Sequence, residues 1–393
     1  MFAIILSILF LIIILTDIII YFKVLPLVGS SRTLKGFWIT QSILNLITPL
    51  ALFLGAKYIG VGLSNPYVSF SFTVFGLLAF AKTTFLVIYL AFGIPSLLSK
   101  KIHTIVLKSV SIFSLFIFLV FLYGAIWGIR RITATDVELA STSVPESFDG
   151  YKIAHISDIH IGSMTNVDGL VDAMVDSINA QNPDIILFTG DLVNMQTSEV
   201  TPHIESLKKL KAKDGIIAVM GNHDYGMYHT WDNKEAENAN LEMFYQYMDT
   251  LNWKLLNERN RIITRGNDKI NILGIGFYGS GKYNHEQPLD SLVESLSEND
   301  KTNFSILLCH EPVVWEENVK KHPMIDLTLS GHTHAMQFEV LGFSPASFLY
   351  KYWGGLYQDN DQYLYVNRGL GSSFPARVGA WPEITNITLR HKK

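Results

Sequence analysis

Cysteine is nearly absent: Cys309 is the only one in 393 residues, so a single chain can hold neither a disulfide framework nor a thiolate metal cluster. Any metal must be bound through oxygen and nitrogen. Charge is scarce as well. Charged side chains make up 17% of the residues against 49% hydrophobic, which excludes a disordered chain and departs from an ordinary water-soluble domain. Basic surplus is missing where nucleic acid would need it. Beyond residue 130 the chain carries 22 Lys or Arg against 34 Asp or Glu, whereas following a phosphate backbone requires clustered cations. No nucleic-acid partner is expected, and the substrate is expected to be small.

What the chain has in abundance is apolar runs. Four of them, at 2–22, 37–57, 67–95 and 105–128, are each long enough to cross the hydrocarbon core of a bilayer. No basic segment precedes the first and no small-residue cleavage site follows it, so it reads as a permanent span and not a signal peptide. Pro26 with Gly29, Pro66 and Pro95 fall between runs, where helix breakers belong. Lys23, Arg32 and Lys35 in the first connection, and Lys100, Lys101 and Lys108 at the third, outnumber Lys57, Arg130 and Arg131 on the other side. The positive-inside rule then puts residue 131 onward on the extracytoplasmic face. Asp17 and Lys82 are charges inside spans. Asp17 can reach the interface by its position and Lys82 by snorkelling, and no repeat of the transporter kind accompanies them. The expected organisation is a transmembrane helical domain over 1–130, a linker over 131–149 and a compact domain over 150–393.

In that compact domain five short β-type runs each stop at a polar cluster. KIAHIS precedes Asp158 and His160, DIILFT precedes Asp191, GIIAVM precedes Asn222-His223-Asp224, FSILLC precedes His310, and IDLTLS precedes His332 and His334. Helix-compatible segments at 166–181, 198–213, 235–250 and 288–298 alternate with them, which predicts an α/β core with largely buried strands. In such folds ligand-binding groups gather beyond the carboxyl ends of the strands. Asp158 and His160, like His332 and His334, are two apart, so an extended backbone would aim each pair at one face. Glycines before Asp191, Asn222 and His332 suit tight turns that bring backbone close to a ligand.

Seven ligand-type residues can thus meet: Asp158, His160, Asp191, Asn222, His310, His332 and His334. Carboxylate, imidazole and amide oxygen without thiolate suit manganese, iron or zinc. Seven donors exceed one tetrahedral ion. Two ions about 3.5–4 Å apart use them well, in the arrangement that polarises a phosphoryl group and generates hydroxide at neutral pH. Asp191, alone at its strand end, is the natural bridge. His223 also falls at a strand end, while His103, His155, His203, His229, His285, His322 and His391 have no comparable setting and are read as structural.

The series D-x-H, G-D, G-N-H-D, H-E-P and G-H-T-H resembles the calcineurin-like metallophosphoesterase superfamily over residues 150–393, and N-R-G-L-G-S-S-F-P-A-R at 367–377 with P-E-I at 382–384 is similar to its membrane-associated bacterial branch. The resemblance implies a two-sheet α/β sandwich with helices outside. It implies that Asp158, His160, Asp191 and His334 hold one metal, and Asp191, Asn222, His310 and His332 the other. It makes His223 the group that contacts phosphate and protonates the leaving oxygen, with Asp224 hydrogen-bonded to that imidazole. After His334, Ala335 and Met336 stand where the branch usually has two glycines. The resulting expectation is a membrane-anchored hydrolase of phosphodiester, pyrophosphate or phosphomonoester bonds whose tether favours a lipid-linked phosphate. The apolar stretch 344–357 is a candidate for meeting such a lipid, or for packing in the core. Arg368 and Arg377 are candidate anion contacts, and Tyr225 and Tyr228 candidate pocket walls. The rival expectation is a non-catalytic membrane sensor on the same scaffold.

Overall fold

A computed structural model describes residues 2–29, 31–59, 66–164, 167–277, 288–372 and 376–393. The chain divides into two units, Met1–Trp127 and Gly128–Lys393.

In the first unit, α1 (Phe2–Ile19), α2 (Arg32–Ile59), α3 (Pro66–Ile88) and α4 (Lys100–Ile126) are helical among the described residues. Among the described residues three stretches are long and apolar enough to cross a membrane: Phe10–Val28, Thr73–Gly93 and Lys100–Arg130. The expected run 37–57 falls in α2. Pro26 does not end the first helix ahead of itself. It sits at the start of a 3-10 turn, Leu25–Val28, where its missing N–H leaves no bond unmade, and the stop comes at Gly29 with φ 76°.

Asp17 and Lys82 also depart from expectation. They pair with each other: the Lys82 Nζ lies 2.8 Å from Asp17 Oδ1 and 2.9 Å from Oδ2, with both side chains buried between α1 and α3. The Trp38 ring lies 5.6 Å from the same ammonium. Two desolvated charges persist in an apolar interior only as such a pair.

The second unit is an α/β fold of two six-stranded sheets. Its strands are β1 (Thr133–Ser141), β2 (Lys152–Ile156), β3 (Ile185–Phe188), β4 (Ile216–Ala218), β5 (Trp253–Leu255), β6 (Arg259–Arg265), β7 (Asp268–Gly274), β8 (Phe304–Leu308), β9 (Leu327–Ser330), β10 (Gly355–Asp359), β11 (Gln362–Val366) and β12 (Glu383–His391). One sheet has the order β1-β12-β2-β3-β4-β5 and the other β10-β11-β9-β8-β7-β6. About half of the segment expected as a linker, Thr133–Ser141, is therefore an edge strand, because β1 pairs in parallel with β12 along its whole length.

Strand periodicity explains the layering. Ile185 and Leu187 of β3 pack between the sheets with Ile272, Ile306 and Leu329, while Ile186 and Phe188 turn outward to Met174, Val175 and Ile178 of helix Leu170–Ala180. In β8, Ile306 and Leu308 face the inter-sheet core and Leu307 faces Trp315 on the other side. Strands apolar on both faces must be covered on both, and each Ile or Leu so buried contributes roughly 1.5–3 kcal/mol. The segment 198–213 is not the regular helix expected. Pro202 lies inside a 3-10 run, Thr197–His203, and only one α turn follows.

Candidate metal centre

Because β2, β3 and β4 run parallel in one sheet and β8 and β9 run parallel in the other, their carboxyl ends open at one edge of the sandwich. Asp158 and His160 follow β2, Asp191 follows β3, Asn222 follows β4, His310 follows β8, and His332 and His334 follow β9. These seven residues converge. His160 Nε2 lies 3.0 Å from His334 Nε2, which lies 3.2 Å from Asp158 Oδ1. His310 Nε2 lies 3.1 Å from Asp191 Oδ2 and 3.2 Å from His332 Nδ1, which is 3.2 Å from Asn222 Oδ1. The same Asp191 Oδ2 is 3.7 Å from His160 Nε2, so one carboxylate oxygen faces both groups.

The backbone reaches this arrangement differently from expectation. Asp158, His160, Asp191, His332 and His334 have φ of 48°, 43°, 60°, 72° and 51°, in the left-handed region and not extended. Each costs roughly 1–2 kcal/mol relative to an ordinary conformation, a strain that clusters at functional sites. Glycine serves here by smallness: a Cβ on Gly221 would strike the Asp191 carboxylate, and one on Gly331 that of Asp158.

Imidazole tautomers are set by the rings' far sides. His160 Nδ1 donates to the Val193 carbonyl at 3.2 Å and His310 Nδ1 to that of Thr189 at 2.8 Å, which turns each Nε2 inward, as a lone pair on His160. Burial drives His160 down to about 3 and His332 down to about 4. Burial likewise opposes the charge of His310, but the adjacent Asp191 carboxylate outweighs it and raises the imidazole to about 10. The Asp158 carboxyl is pushed up to about 6 by burial. Imidazole nitrogens and carboxylate oxygens converging in a buried site are the donor chemistry of a hard or borderline cation, and the residues fit such a group.

His223 stands beside the cluster, its ring 4.7 Å from that of His160 and stacked at 4.3 Å on Tyr228. Its Nδ1 donates to the Asn194 carbonyl at 2.5 Å. Asp224 therefore does not hold that imidazole, contrary to the expected role. Its carboxylate accepts from the backbone N–H groups of Asp191 and Leu192, both at 2.8 Å, and of Gly221 at 2.9 Å, tying the β3 and β4 loops together. Tyr228 lines the site and accepts from Asn222 Nδ2 at 2.8 Å, whereas Tyr225 is buried in the core.

Neither arginine is free for an anion. Arg368 pairs with Glu339 at 2.6 Å and Glu383 at 3.3 Å. Arg377 is fully buried, donates to the Gly371 and Ala380 carbonyls, and places a nitrogen 3.2 Å from His334 Nδ1. Sequence reading missed three contributors: the Asn194 carbonyl, Arg377 as a neighbour of His334, and Tyr350, whose ring meets that of His332 edge-on at 5.9 Å. A backbone carbonyl carries no side-chain signal, and the other two lie 43 and 18 residues from the histidines they touch. Ala335 and Met336, at φ 49° and 47°, hold a left-handed backbone that glycine adopts without strain.

Residues 151–336 match the calcineurin-like phosphoesterase family. The chain is 32% identical over 269 residues to metallophosphoesterase YkuE of Bacillus subtilis, a match that spans 66% of this chain and 86% of that one. It belongs to the calcineurin-like metallophosphoesterase family. A zebrafish (Danio rerio) transmembrane protein with metallophosphoesterase domain is 28% identical over 273 residues, 68% of this chain and 60% of that protein. A metallophosphoesterase of Helicobacter pylori strain 26695 is 32% identical over 247 residues, 61% of this chain and 60% of its own length. Membership makes this metallophosphoesterase a hydrolase of the phosphoesterase class in a family that uses divalent metal ions. Among its described residues three apolar helices are long enough to span a membrane, and the Danio rerio relative is named as a transmembrane protein.

Proposed function

We propose that this metallophosphoesterase is a multi-pass membrane enzyme, with four spans in residues 1–130 and an extracytoplasmic catalytic domain, that hydrolyses a phosphodiester, pyrophosphate or phosphomonoester bond of a lipid-linked substrate. The observation that carries the reading is the single oxygen of Asp191 between two donor groups. Asp158, His160, Asp191 and His334 would hold one cation; Asp191, Asn222, His310 and His332 would hold the other. Divalent cations held by these residues would supply Lewis-acid polarisation of a phosphoryl group and activation of water at neutral pH.

The chain's own groups do the rest. Asp191 is oriented because its Oδ1 accepts the His223 backbone N–H at 2.9 Å, which leaves Oδ2 facing His160 and His310. Asn222 is turned by Tyr228 so that its amide oxygen faces His332. His223, anchored at Nδ1 by the Asn194 carbonyl, keeps Nε2 for the phosphoryl or leaving oxygen, to which it gives a proton as the bond breaks. Burial of the donors excludes bulk water, which strengthens each of these interactions.

Purified protein with manganese is expected to hydrolyse bis-p-nitrophenyl phosphate. Asp191→Asn should lower kcat by on the order of 10³-fold with loss of bound manganese, and His223→Ala by about 10²–10⁴-fold with manganese retained. Full turnover in both variants overturns the reading.

A further inference from the structure

Beyond β9 the chain exposes apolar side chains that hydrolysis does not use. Leu341 is fully exposed, Phe348 is 80% exposed and Leu349 71%, with Val340 and Phe343 near half. They form one feature. Val340 and Phe343 exchange both backbone hydrogen bonds, at 2.9 and 3.0 Å, around Leu341 and Gly342, whose φ of 53° and 77° make a two-residue hairpin turn. The Phe343 and Phe348 rings meet edge to face at 5.7 Å. Glycine, asparagine or aspartate is the ordinary choice at such a tip. Leucine there costs conformational strain and leaves a large apolar side chain in water, a combination that a purely aqueous surface has no reason to keep.

The position of the hairpin points to its partner. At its base, Glu339 N–H donates to the Val378 carbonyl at 2.8 Å and Val378 N–H to that of Gln337 at 2.9 Å. On the other side of the same short segment, Gly128 packs against the Arg377 carbonyl and the Arg131 guanidinium lies 4.9 Å from the Trp381 ring. Residues 128–131 are where the chain leaves its last apolar stretch, Lys100–Arg130. The exit from the apolar helix and the base of the apolar hairpin thus share residues 377–381. Past the hairpin, Tyr350 touches His332 of the candidate metal centre. The feature is a convex tip and not a groove, which suits a fluid bilayer better than a protein partner.

We propose that the 340–343 hairpin, with Phe348 and Leu349, dips into the bilayer at the headgroup–acyl boundary and holds the metal centre at the lipid surface. The insertion stands by itself; its consequence for substrate choice rests on the phosphoesterase reading above. The full chain in nanodiscs of phosphatidylcholine and phosphatidylglycerol tests it. Leu341→Cys labelled with an environment-sensitive fluorophore should emit to the blue and be quenched by shallow doxyl-labelled lipid, with the buried Cys309 unlabelled. The same label at Met243→Cys, on helix Lys234–Thr250, should do neither. A Leu341 label that is unquenched, whether wet or covered by a second copy, overturns the insertion.

Leu341→Glu with Phe348→Glu should leave turnover of bis-p-nitrophenyl phosphate unchanged while raising KM for CDP-diacylglycerol in the same nanodiscs about tenfold or more, the order expected on removing two apolar side chains from lipid. Equal loss on both substrates, or no loss on the lipid, overturns the substrate consequence. If unaltered protein turns over neither substrate, the phosphoesterase reading fails while the quenching result still decides the insertion.

Discussion

The two units bury charge in opposite ways. In the helical unit one ammonium meets one carboxylate, Lys82 on Asp17 at 2.8 Å, and the pair is complete. In the sheet unit two carboxylates and four imidazoles are pressed together within a few ångströms, and the one charge pair among them, His310 with Asp191, leaves the donor atoms of His160, His332 and His334 converging on the same space. A buried charge that finds its partner within the fold is architecture. Convergent donors without one form a binding site, because desolvation on that scale is sustained only when a further charge arrives.

That comparison can be broken most forcefully from the helical side. Lys82→Met leaves Asp17 buried alone, and the detergent-solubilised chain should lose about 3–5 kcal/mol, with Asp17→Asn/Lys82→Met regaining most of it. Thermal unfolding of the three forms measures this. A double variant no better than the single one would mean that the pair is not self-contained, and loss of bis-p-nitrophenyl phosphate turnover in a folded double variant would assign it a catalytic role.

The sheet unit is sharpened by protons. His310 is held at about 10 by Asp191, so in cation-free protein it carries a proton at pH 7, and a cation can bind its Nε2 only by displacing it. Between about pH 5 and 9 each cation bound there should release about one proton, and the affinity of that position should rise about tenfold per pH unit over the same range. Manganese titrations in buffers of differing ionisation heat count the protons; none released at pH 7.5 would contradict the assignment of His310.

The smallest effect concerns backbone strain beside the metal centre. Met336, at φ 47° and 47% exposed, pays for a left-handed conformation that glycine adopts freely. Met336→Gly should stabilise the chain by up to about 1 kcal/mol without changing turnover, read as a higher Tm. A lower Tm would show that the Met336 side chain packs to more effect than its backbone strains.

Much of the sheet unit was legible in the residues themselves. KIAHIS, DIILFT, GIIAVM, FSILLC and IDLTLS read as strands because both faces are apolar, and the polar cluster after each one marks a carboxyl end. Since parallel strands stop at a common edge, those clusters had to meet there. Less visible were contributions made by backbone or across long separations, as with the Asn194 carbonyl beneath His223, Arg377 against His334 and the four-residue hairpin at Leu341. Asp224 shows how adjacency misleads: it follows His223 directly, yet its carboxylate is consumed by the amides of two loops.

Sequence alone determined the division of the chain into an apolar helical part and an acidic α/β part, and which side chains would face one another at the strand ends, because periodicity and transfer from water act on local residue order. Tertiary structure alone decided that Asp17 and Lys82 neutralise each other, that five ligand-type residues bend into left-handed backbone, and that the Leu341 hairpin shares residues 377–381 with the exit from the apolar helix. Those outcomes depend on which distant segments are pressed together, and the free energy of desolvating a charge or straining a backbone is set by that company and not by neighbours in the chain.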